Sequence, residues 1–269
     1  MKVLATTSRS FLRVDALTGA VEVLHRGAGL YYGIAAWCGQ VFVAARRRMV
    51  SSDAPAETEA GAILVFDRQL RHVGTLEAPF ALRDLHGIAF DDDGVLWATC
   101  SYDDLVARWD GRQWIRWHPL GEPVGEPRDV HHFNSLSFDN GLVWVLAHNR
   151  GPSELMGFDR RSLALRSRVE LGDQAHDIWR EGGRLHTCSS ADGRVVGEGG
   201  FEVPTGQFPR GYLRAGGLRL VGLSELAERH ERDFTTAAIR RYDEGWTMQG
   251  EIRLPGEGLL LALAAPPAQ

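Results

Sequence analysis

Short apolar segments alternate with acidic or glycine-containing turns along almost the whole chain. In one copy of this pattern, His86 to Phe90 is an apolar run, Asp91 to Gly94 is a tight acidic turn, and Val95 to Ser101 is rich in β-favouring side chains. Leu105 to Trp109 and Gln113 to His118 continue the alternation, with an Asp-Gly turn between them. The pattern therefore predicts a unit of four antiparallel strands.

This unit recurs six times, and the residue that begins each copy, called here the opening residue, carries most of the candidate chemistry. The opening residues are Tyr32, His86, Asn134, His176, Arg210 and Glu257. They are separated by 34 to 54 residues, which is the length of a four-stranded propeller blade. One such unit cannot bury its own apolar face, so the copies are expected to pack side by side.

The two ends of the chain predict how the ring closes. Val3 to Thr7, Phe11 to Val14 and Ala20 to His25 are the strands of a blade without a first strand, and Leu259 to Ala265 can supply it from the C-terminus. Such closure leaves no unpaired edge at the junction. We therefore predict an all-β fold, a six-bladed β-propeller with four-stranded antiparallel blades, formed as a single domain by residues 1–269.

Composition narrows the classes of function. The chain has 44% hydrophobic residues and eight tryptophans, which suffices for a packed interior, and its formal net charge is −5. Without a basic stripe, nucleic acid is not expected as a partner, and the short apolar segments do not predict membrane insertion. Three cysteines in no metal-binding spacing favour a reducing cytoplasm. The single lysine, Lys2, excludes Schiff-base chemistry. The oligomeric state stays open.

Propeller geometry predicts where these side chains meet. The first strand of each blade lines the central channel, so the opening residues form a ring at one mouth. Because the second strand is antiparallel to the first, its C-terminal end returns to the same mouth. This brings in Arg46, Ser101, Tyr102, His148, Asn149, Arg150, Ser189 and Ser190. His132, two residues before Asn134, points the same way if the chain there is extended.

Histidine is concentrated at this mouth. Five of the ten histidines fall there, at positions 86, 131, 132, 148 and 176, although any one of them also suits a purely structural role. His131 is expected to alternate away from the channel. His86, Asn134 and His176 lie on three successive blades and can grip one divalent metal ion, with Glu257 approaching from the far side.

The blade count, the strand closure and the phrases EGLLLALA and NSLSFD resemble the gluconolactonase/regucalcin-type and NHL-type six-bladed propellers. In the lactonase group a Glu, an Asn and an Asp hold a divalent cation over the pore. The resemblance implies that Glu257 and Asn134 match the first two, while His176 stands at the Asp position. A nitrogen donor there favours zinc, iron or copper over calcium. The segment HHFNSLSFDNGLVWVLAHNRGPSELMGFD is similar to uncharacterised bacterial propellers, which implies no activity.

These observations predict a metal-dependent enzyme that acts on a small oxygenated, anionic metabolite. The metal would polarise a carbonyl or activate water, His132 or His148 would move protons, and Arg210 would orient a carboxylate or phosphate. The remaining substrate-binding candidates are Tyr32, Tyr102, Asn149, Arg150 and Arg46. Lactone or ester hydrolysis is the first expectation, followed by a lyase reaction and by oxidation at a histidine-bound metal.

Two alternatives remain. A non-catalytic propeller could bind a peptide or protein over the same face, and an array of blades could serve only as structure within a larger assembly, which the polar opening residues disfavour. Two insertions, Ser51 to Gly61 and Glu225 to Phe234, are expected to rise at the mouth, where they either cover the site or are ordinary surface loops.

Overall fold

A computed structural model describes residues 1–125 and 128–267. Within these ranges the strands form six four-stranded antiparallel sheets, the blades of a propeller. Blade 1 contains β1 (Lys2–Thr7), β2 (Ser10–Asp15), β3 (Val21–Arg26) and β24 (Leu260–Ala264). Blade 2 contains β4 (Tyr31–Trp37), β5 (Gln40–Ala45), β6 (Ala62–Phe66) and β7 (His72–Leu76). Blade 3 contains β8 (Leu85–Phe90), β9 (Leu96–Cys100), β10 (Leu105–Trp109) and β11 (Trp114–Trp117).

The other three blades follow in chain order. Blade 4 contains β12 (Phe133–Asp139), β13 (Leu142–Ala147), β14 (Pro152–Asp159) and β15 (Leu165–Asp173). Blade 5 contains β16 (His176–Glu181), β17 (Arg184–Ser189), β18 (Arg194–Gly197) and β19 (Phe201–Pro204). Blade 6 contains β20 (Phe208–Ala215), β21 (Leu218–Ser224), β22 (Ala237–Tyr242) and β23 (Met248–Leu254). The predicted fold class is confirmed.

The ends of the chain close the ring as predicted. Strand β24 pairs antiparallel with β1, with Leu4 opposite Ala264 and Thr6 opposite Ala262. The C-terminal strand thus becomes the inner strand of blade 1, and both termini are fixed in one sheet. This closure is what brings residues more than two hundred positions apart to one mouth.

The inner strand of each blade is irregular at or just after its opening residue. The pairing with the second strand shifts register between Tyr31 and Ile34 in β4 and between Leu85 and Ile88 in β8, and β12 and β20 shift at the corresponding place. Such a bulge leaves the opening residue out of the ladder and re-aims its side chain. In β16 the shift follows the opening residue instead, and His176 stays paired with Cys188.

The residue after the opening residue is often glycine because inner strands of adjacent blades approach closely at the axis. A Cβ added to Gly33 would lie 2.5 Å from the backbone N of Ile88, and one added to Gly87 would lie 2.7 Å from the carbonyl O of Asn134. A larger side chain at either position would push neighbouring blades apart. Glycine therefore permits this close approach in blades 2 and 3, whereas in blades 4 and 5 the side chains of Ser135 and Asp177 at this position hydrogen-bond to the backbone of the next blade.

The core consists of apolar clusters packed within blades and between neighbouring blades. One of them joins Val3 and Leu12 of blade 1 to Leu220 and Ile239 of blade 6. The helical residues of the described ranges are two single 3₁₀ turns, Ala56–Thr58 and Ser101–Asp103. No helix in that part of the chain has the length and apolarity that crossing a bilayer would require.

Candidate functional site

Five of the predicted opening residues lie where the ring geometry places them. Tyr32, His86, Asn134, His176 and Arg210 surround the channel, and all five line a cavity of about 220 Å³ within it. A larger cavity of about 580 Å³ occupies the mouth and shares Tyr32, His86 and Arg210 with the channel. The volume of the mouth cavity lies within the range typical of small-molecule binding sites, roughly 300–1,000 Å³.

The sixth opening residue is Leu261, and the prediction of Glu257 for this position is wrong. Leu261 lies in β24 at the register shift opposite β1, and it lines the channel with Ala262. Glu257 precedes the strand, and its carboxylate binds Arg26 and accepts a hydrogen bond of 3.2 Å from the Thr7 hydroxyl. The sequence EGLL led to Glu257 being aligned with the other opening residues, four residues before the true position. The ring therefore has an apolar residue, Leu261, on blade 1.

A second layer of side chains comes from positions two residues before the opening residues. Asp84, His132 and Gln174 occupy these positions in blades 3, 4 and 5, and all three line the mouth cavity. Their φ angles are 52°, 51° and 44°, respectively. This left-handed backbone is uncommon outside glycine and tends to occur at functional sites. It holds the three side chains over the mouth just above the ring.

Aromatic and imidazole rings form a continuous arc around the cavity. The centroid distance is 4.1 Å from Tyr32 to His86, 4.9 Å from His86 to His132 and 4.9 Å from His132 to His148. It continues at 5.1 Å from His148 to His176 and 5.6 Å from His176 to Phe208. The predicted convergence of His86, His132, His148 and His176 is therefore present, and neighbouring imidazole rings meet in edge-on or tilted contacts.

Asp84, His86 and His132 form the group in the described residues that can hold a metal ion. One donor atom from each lies within 4.8 Å of the others. His86 Nδ1 is 3.5 Å from Asp84 Oδ1, and His132 Nδ1 is 3.8 Å from Asp84 Oδ2. Arg46 also forms an ion pair with this carboxylate. The group contains His86 from the predicted metal set and His132 from the predicted proton carriers.

The hydrogen bonds of His86 and His132 orient both side chains as metal ligands. His86 Nδ1 lies 2.7 Å from the carbonyl O of Asp84, and His132 Nδ1 lies 2.7 Å from Oδ1 of Asp129. Both Nδ1 atoms thus donate to oxygen, which leaves the Nε2 lone pairs for a ligand. Histidines that bind metals almost always anchor the other ring nitrogen to a carbonyl or carboxylate in this way. The donor set, two imidazoles and one carboxylate, suits zinc, iron or copper.

The charge states of the group agree with metal binding. Burial lowers the pKa of His86 to about 3, with help from the neighbouring His132 and Arg46. Burial raises the pKa of Asp84, but the neighbouring His86 and Arg46 lower it by more, to about 2. Near neutral pH the imidazole is therefore neutral and the carboxylate ionised, which are the forms that bind a metal.

Asn134 and His176, the other predicted metal ligands of the ring, have internal partners. The Asn134 side chain donates to the carbonyl O of Ala175 at 2.8 Å and accepts a 2.8 Å hydrogen bond from the Ser135 hydroxyl. His176 Nδ1 lies 2.8 Å from the Ser190 hydroxyl, and its Nε2 is buried without a hydrogen-bond partner in the described residues. Asn134 thus braces adjacent blades, and the metal set predicted by resemblance to the lactonases is not assembled.

His148, a predicted proton carrier, lines the mouth cavity. Its Nδ1 accepts a 3.1 Å hydrogen bond from the backbone N–H of Arg150, so Nε2 carries the proton and can donate it to a ligand. Burial and the neighbouring His132 and Arg210 lower the pKa of His148 to about 2. A general base works best with a pKa near the operating pH. His148 is therefore a hydrogen-bond donor near neutral pH.

Arg210 is the cation of the inner ring. Its guanidinium lies 4.9 Å from the centre of the Phe208 ring, and its buried Nε has no hydrogen-bond partner in the described residues. Burial lowers the pKa of Arg210, yet an arginine starts so high that it stays charged. No carboxylate in those residues pairs with it, which leaves it available to an anionic ligand.

Of the remaining predicted substrate-binding residues, three line the cavity and one does not. Tyr102 lines the cavity and donates a 2.7 Å hydrogen bond to Glu57 Oε1, and Arg150 lines it while paired with Asp129. Arg46 is held by both oxygens of Glu59, at 2.8 and 2.6 Å. The Asn149 side chain turns toward the carbonyl O of Pro152 at 3.3 Å and lies outside the cavity lining, so its predicted placement is wrong.

Both predicted insertions cover the mouth. Met49, Val50 and Ala56 of the loop between β5 and β6 line the cavity, as do Arg229 and Arg232 of the loop between β21 and β22. The buried Asp233 carboxylate links the loops because it accepts hydrogen bonds from the backbone N–H groups of Val50 and Ser51, at 3.1 and 2.8 Å. Residues of both loops thus form part of the cavity wall, and the two loops are joined by Asp233.

Sequence reasoning missed Asp84 and Asp129. The two-residue spacing that pointed to His132 before Asn134 also points to Asp84 before His86, in the segment Arg83-Asp84-Leu85-His86. No comparable spacing indicates Asp129, which reaches His132 through a loop whose backbone N–H groups are held by Asp104.

Comparison with known proteins supports the fold alone. No family model matches the chain, and no curated protein matches it. A chain of a nidogen/laminin complex superposes with a TM-score of 0.69 at 12% identity, covering 99% of this chain and 99% of that one. A protein of unknown function from Bacteroides caccae gives a TM-score of 0.63 at 12% identity, covering 100% and 99%, respectively.

Proposed function

We propose that this propeller is a metal-dependent enzyme that acts on a small oxygenated anion in the mouth cavity. The observation that carries the proposal is the group of Asp84, His86 and His132, in which one donor atom of each residue lies within 4.8 Å of the others. Both histidines donate Nδ1–H to an oxygen, which leaves the Nε2 lone pair of each for a ligand. A divalent metal there supplies a Lewis acid that polarises a substrate carbonyl or phosphoryl oxygen.

Hydrolysis of a lactone or ester remains the first reaction in this proposal. Water adds to the carbonyl carbon, the carbon–oxygen bond to the leaving group breaks, and the leaving oxygen takes the proton. His148 Nε2–H donates a hydrogen bond to a substrate oxygen, and Arg210 orients the anionic part of the substrate. A lyase reaction on the same kind of substrate is the next candidate.

The concave shape of the site and the loops at its rim favour a small molecule over a peptide or protein. Two loops pinned together by Asp233 cover part of the mouth and leave a cavity of about 580 Å³. A partner protein would instead need a broad accessible face, since stable interfaces bury about 800 Å² on each partner.

The adjacent histidines His131 and His132 provide the test. His131 stacks on Phe133 at 5.6 Å and lies outside the cavity lining, whereas His132 belongs to the metal group. We expect stoichiometric zinc, iron or copper in the purified protein, lost in His132→Ala and kept in His131→Ala, together with hydrolysis of a lactone and ester panel that chelation abolishes and one metal restores.

Two results would contradict the proposal. One is a folded protein that takes up none of the three metals in equilibrium dialysis, and the other is hydrolysis that is indifferent to chelation. A metal-free protein that binds peptides over the mouth would support the non-catalytic alternative.

A further inference from the structure

The mouth cavity has a second charged region, opposite in sign to the carboxylate of the metal group. Seven arginines line the cavity: Arg46, Arg48, Arg128, Arg150, Arg210, Arg229 and Arg232. The first two pair with Glu59 and Arg150 pairs with Asp129, whereas the other four form no ion pair within the described residues. Three of these four, Arg210, Arg229 and Arg232, belong to blade 6, and we call them the arginine group.

Two members of the arginine group are held in place by backbone carbonyl groups of the two loops at the mouth. Arg229 Nε donates to the carbonyl O of Val50 at 3.1 Å, and Arg232 Nε donates to the carbonyl O of Ala227 at 3.0 Å. In both side chains the terminal Nη groups are left for a ligand. Because the buried Asp233 joins this loop to the loop between β5 and β6, the loop is already ordered before a ligand binds, and binding costs little conformational entropy.

Arg210 supplies the buried member. Its Nε is buried and unpartnered within the described residues, and Arg232 is close enough to act on it electrostatically. Glu225, a carboxylate that lines the cavity, is occupied by the backbone N–H of Thr236 and by Arg253, and Asp84, which acts on Arg210 electrostatically, is paired with Arg46. A buried charge without a counter-ion is costly, and an anionic ligand would remove that cost.

We propose that the arginine group binds a phosphate group with two negative charges, and that the substrate of the proposed enzyme is a phosphorylated small metabolite. This inference rests on the proposed function for the identity of the reaction. Guanidinium groups approach from the channel side and from the loop, which suits the several terminal oxygens of a tetrahedral phosphate better than a planar carboxylate. The reactive part of the substrate then lies toward Asp84 and His86.

Inorganic phosphate is the probe that tests this inference. Calorimetric titration is done with the purified chain at low ionic strength and about pH 8, where phosphate is mainly a dianion, before and after chelation. We expect saturable binding that survives chelation, and a loss of affinity of about tenfold or more in Arg210→Gln and in an Arg229→Gln, Arg232→Gln double variant. Arg112→Gln, an exposed arginine in the turn between β10 and β11, is the matched control and should bind normally.

Because Arg229 and Arg232 are exposed, the double variant keeps the test valid even if Arg210→Gln does not fold. Equal weakening in Arg112→Gln, undetectable phosphate binding, or tighter binding of malonate than of phosphate would overturn the inference. Phosphate binding that persists in a protein without metal-dependent activity would overturn the proposed function and leave the arginine group intact.

Discussion

Blades 3 and 5 contain nearly the same local structure at the mouth but differ in what it can bind. In blade 3 the Ser101 hydroxyl lies 3.0 Å from His86 Nδ1 and donates to the carbonyl O of Phe133 in the next blade at 2.7 Å. In blade 5 the Ser190 hydroxyl lies 2.8 Å from His176 Nδ1 and donates to the carbonyl O of Pro209 at 2.7 Å. Each serine therefore joins an opening histidine to the blade that follows.

The two blades differ in the layer just above the ring. Two residues before His86 stands the carboxylate of Asp84, and the next blade adds His132. Two residues before His176 stands the amide of Gln174, and the next blade adds the apolar ring of Phe208. An amide and a phenyl ring bind transition metals poorly. The opening histidine thus has the same structural role in both blades, and the residues just above the ring determine whether a metal can bind.

The largest expected effect comes from removing each opening histidine in turn. His86→Ala should lower the affinity for zinc, iron or copper by more than about 100-fold, since changes to residues behind a ligand already cost about 10- to 100-fold. His176→Ala should leave metal affinity unchanged, because His176 lies outside the metal group. Equilibrium dialysis followed by elemental analysis measures both.

Circular dichroism melting shows whether both variants remain folded. If His176→Ala also loses the metal, the ion is bound by residues of blades 3 to 5, as the sequence predicts. The proposed difference in metal binding between blades 3 and 5 would then be wrong.

A smaller effect is expected from the two serines. Ser101→Ala and Ser190→Ala each leave a buried carbonyl without its donor, so each should lower the free energy of unfolding by about 1–3 kcal/mol. Ser101→Ala should also weaken metal binding, because His86 loses one of its two Nδ1 partners, while Ser190→Ala should not. Urea unfolding and metal titration separate the two effects, and equal metal affinity in both variants would remove the proposed link between Ser101 and the metal group.

The smallest expected effect is a pH dependence of stability at blade 5. Burial, then Arg210 and His148, lower the pKa of His176 well below its ordinary value of 6.5. As pH falls below about 6.5 the unfolded chain takes up a proton that the folded protein refuses, so the free energy of unfolding falls by up to about 1.4 kcal/mol per pH unit. His176→Gln should show a smaller fall between pH 7 and pH 5.

Urea unfolding at several pH values tests this. Burial raises the pKa of Asp177 to about 6, so this neighbour titrates in the opposite sense, but it does so in both proteins and cancels in the difference. Parallel pH profiles for the two proteins would show that His176 takes no part.

The sequence predicted most of the mouth from the chemistry of repeated positions. Tyr32, His86, His176 and Arg210 could be predicted because the same phrase begins each inner strand. His132 was predicted from its two-residue spacing before Asn134 on an extended chain, but its backbone is left-handed, with a φ of 51°. The same reasoning missed Asp84 only because the spacing was applied to one blade. Glu257 was wrong because a polar residue was preferred where the register requires the apolar Leu261.

The blade count, the closure of the ring and the concentration of histidines at one mouth follow from strand and turn patterns that repeat along the chain, so they can be predicted without a structure. Which side chains face one another depends on how the blades pack. The positive φ angles of Asp84 and His132, the hold of Asp129 on His132, and the loop that brings Arg229 and Arg232 over Arg210 depend on contacts between blades. Such contacts arise when the ring closes, and no local pattern encodes them.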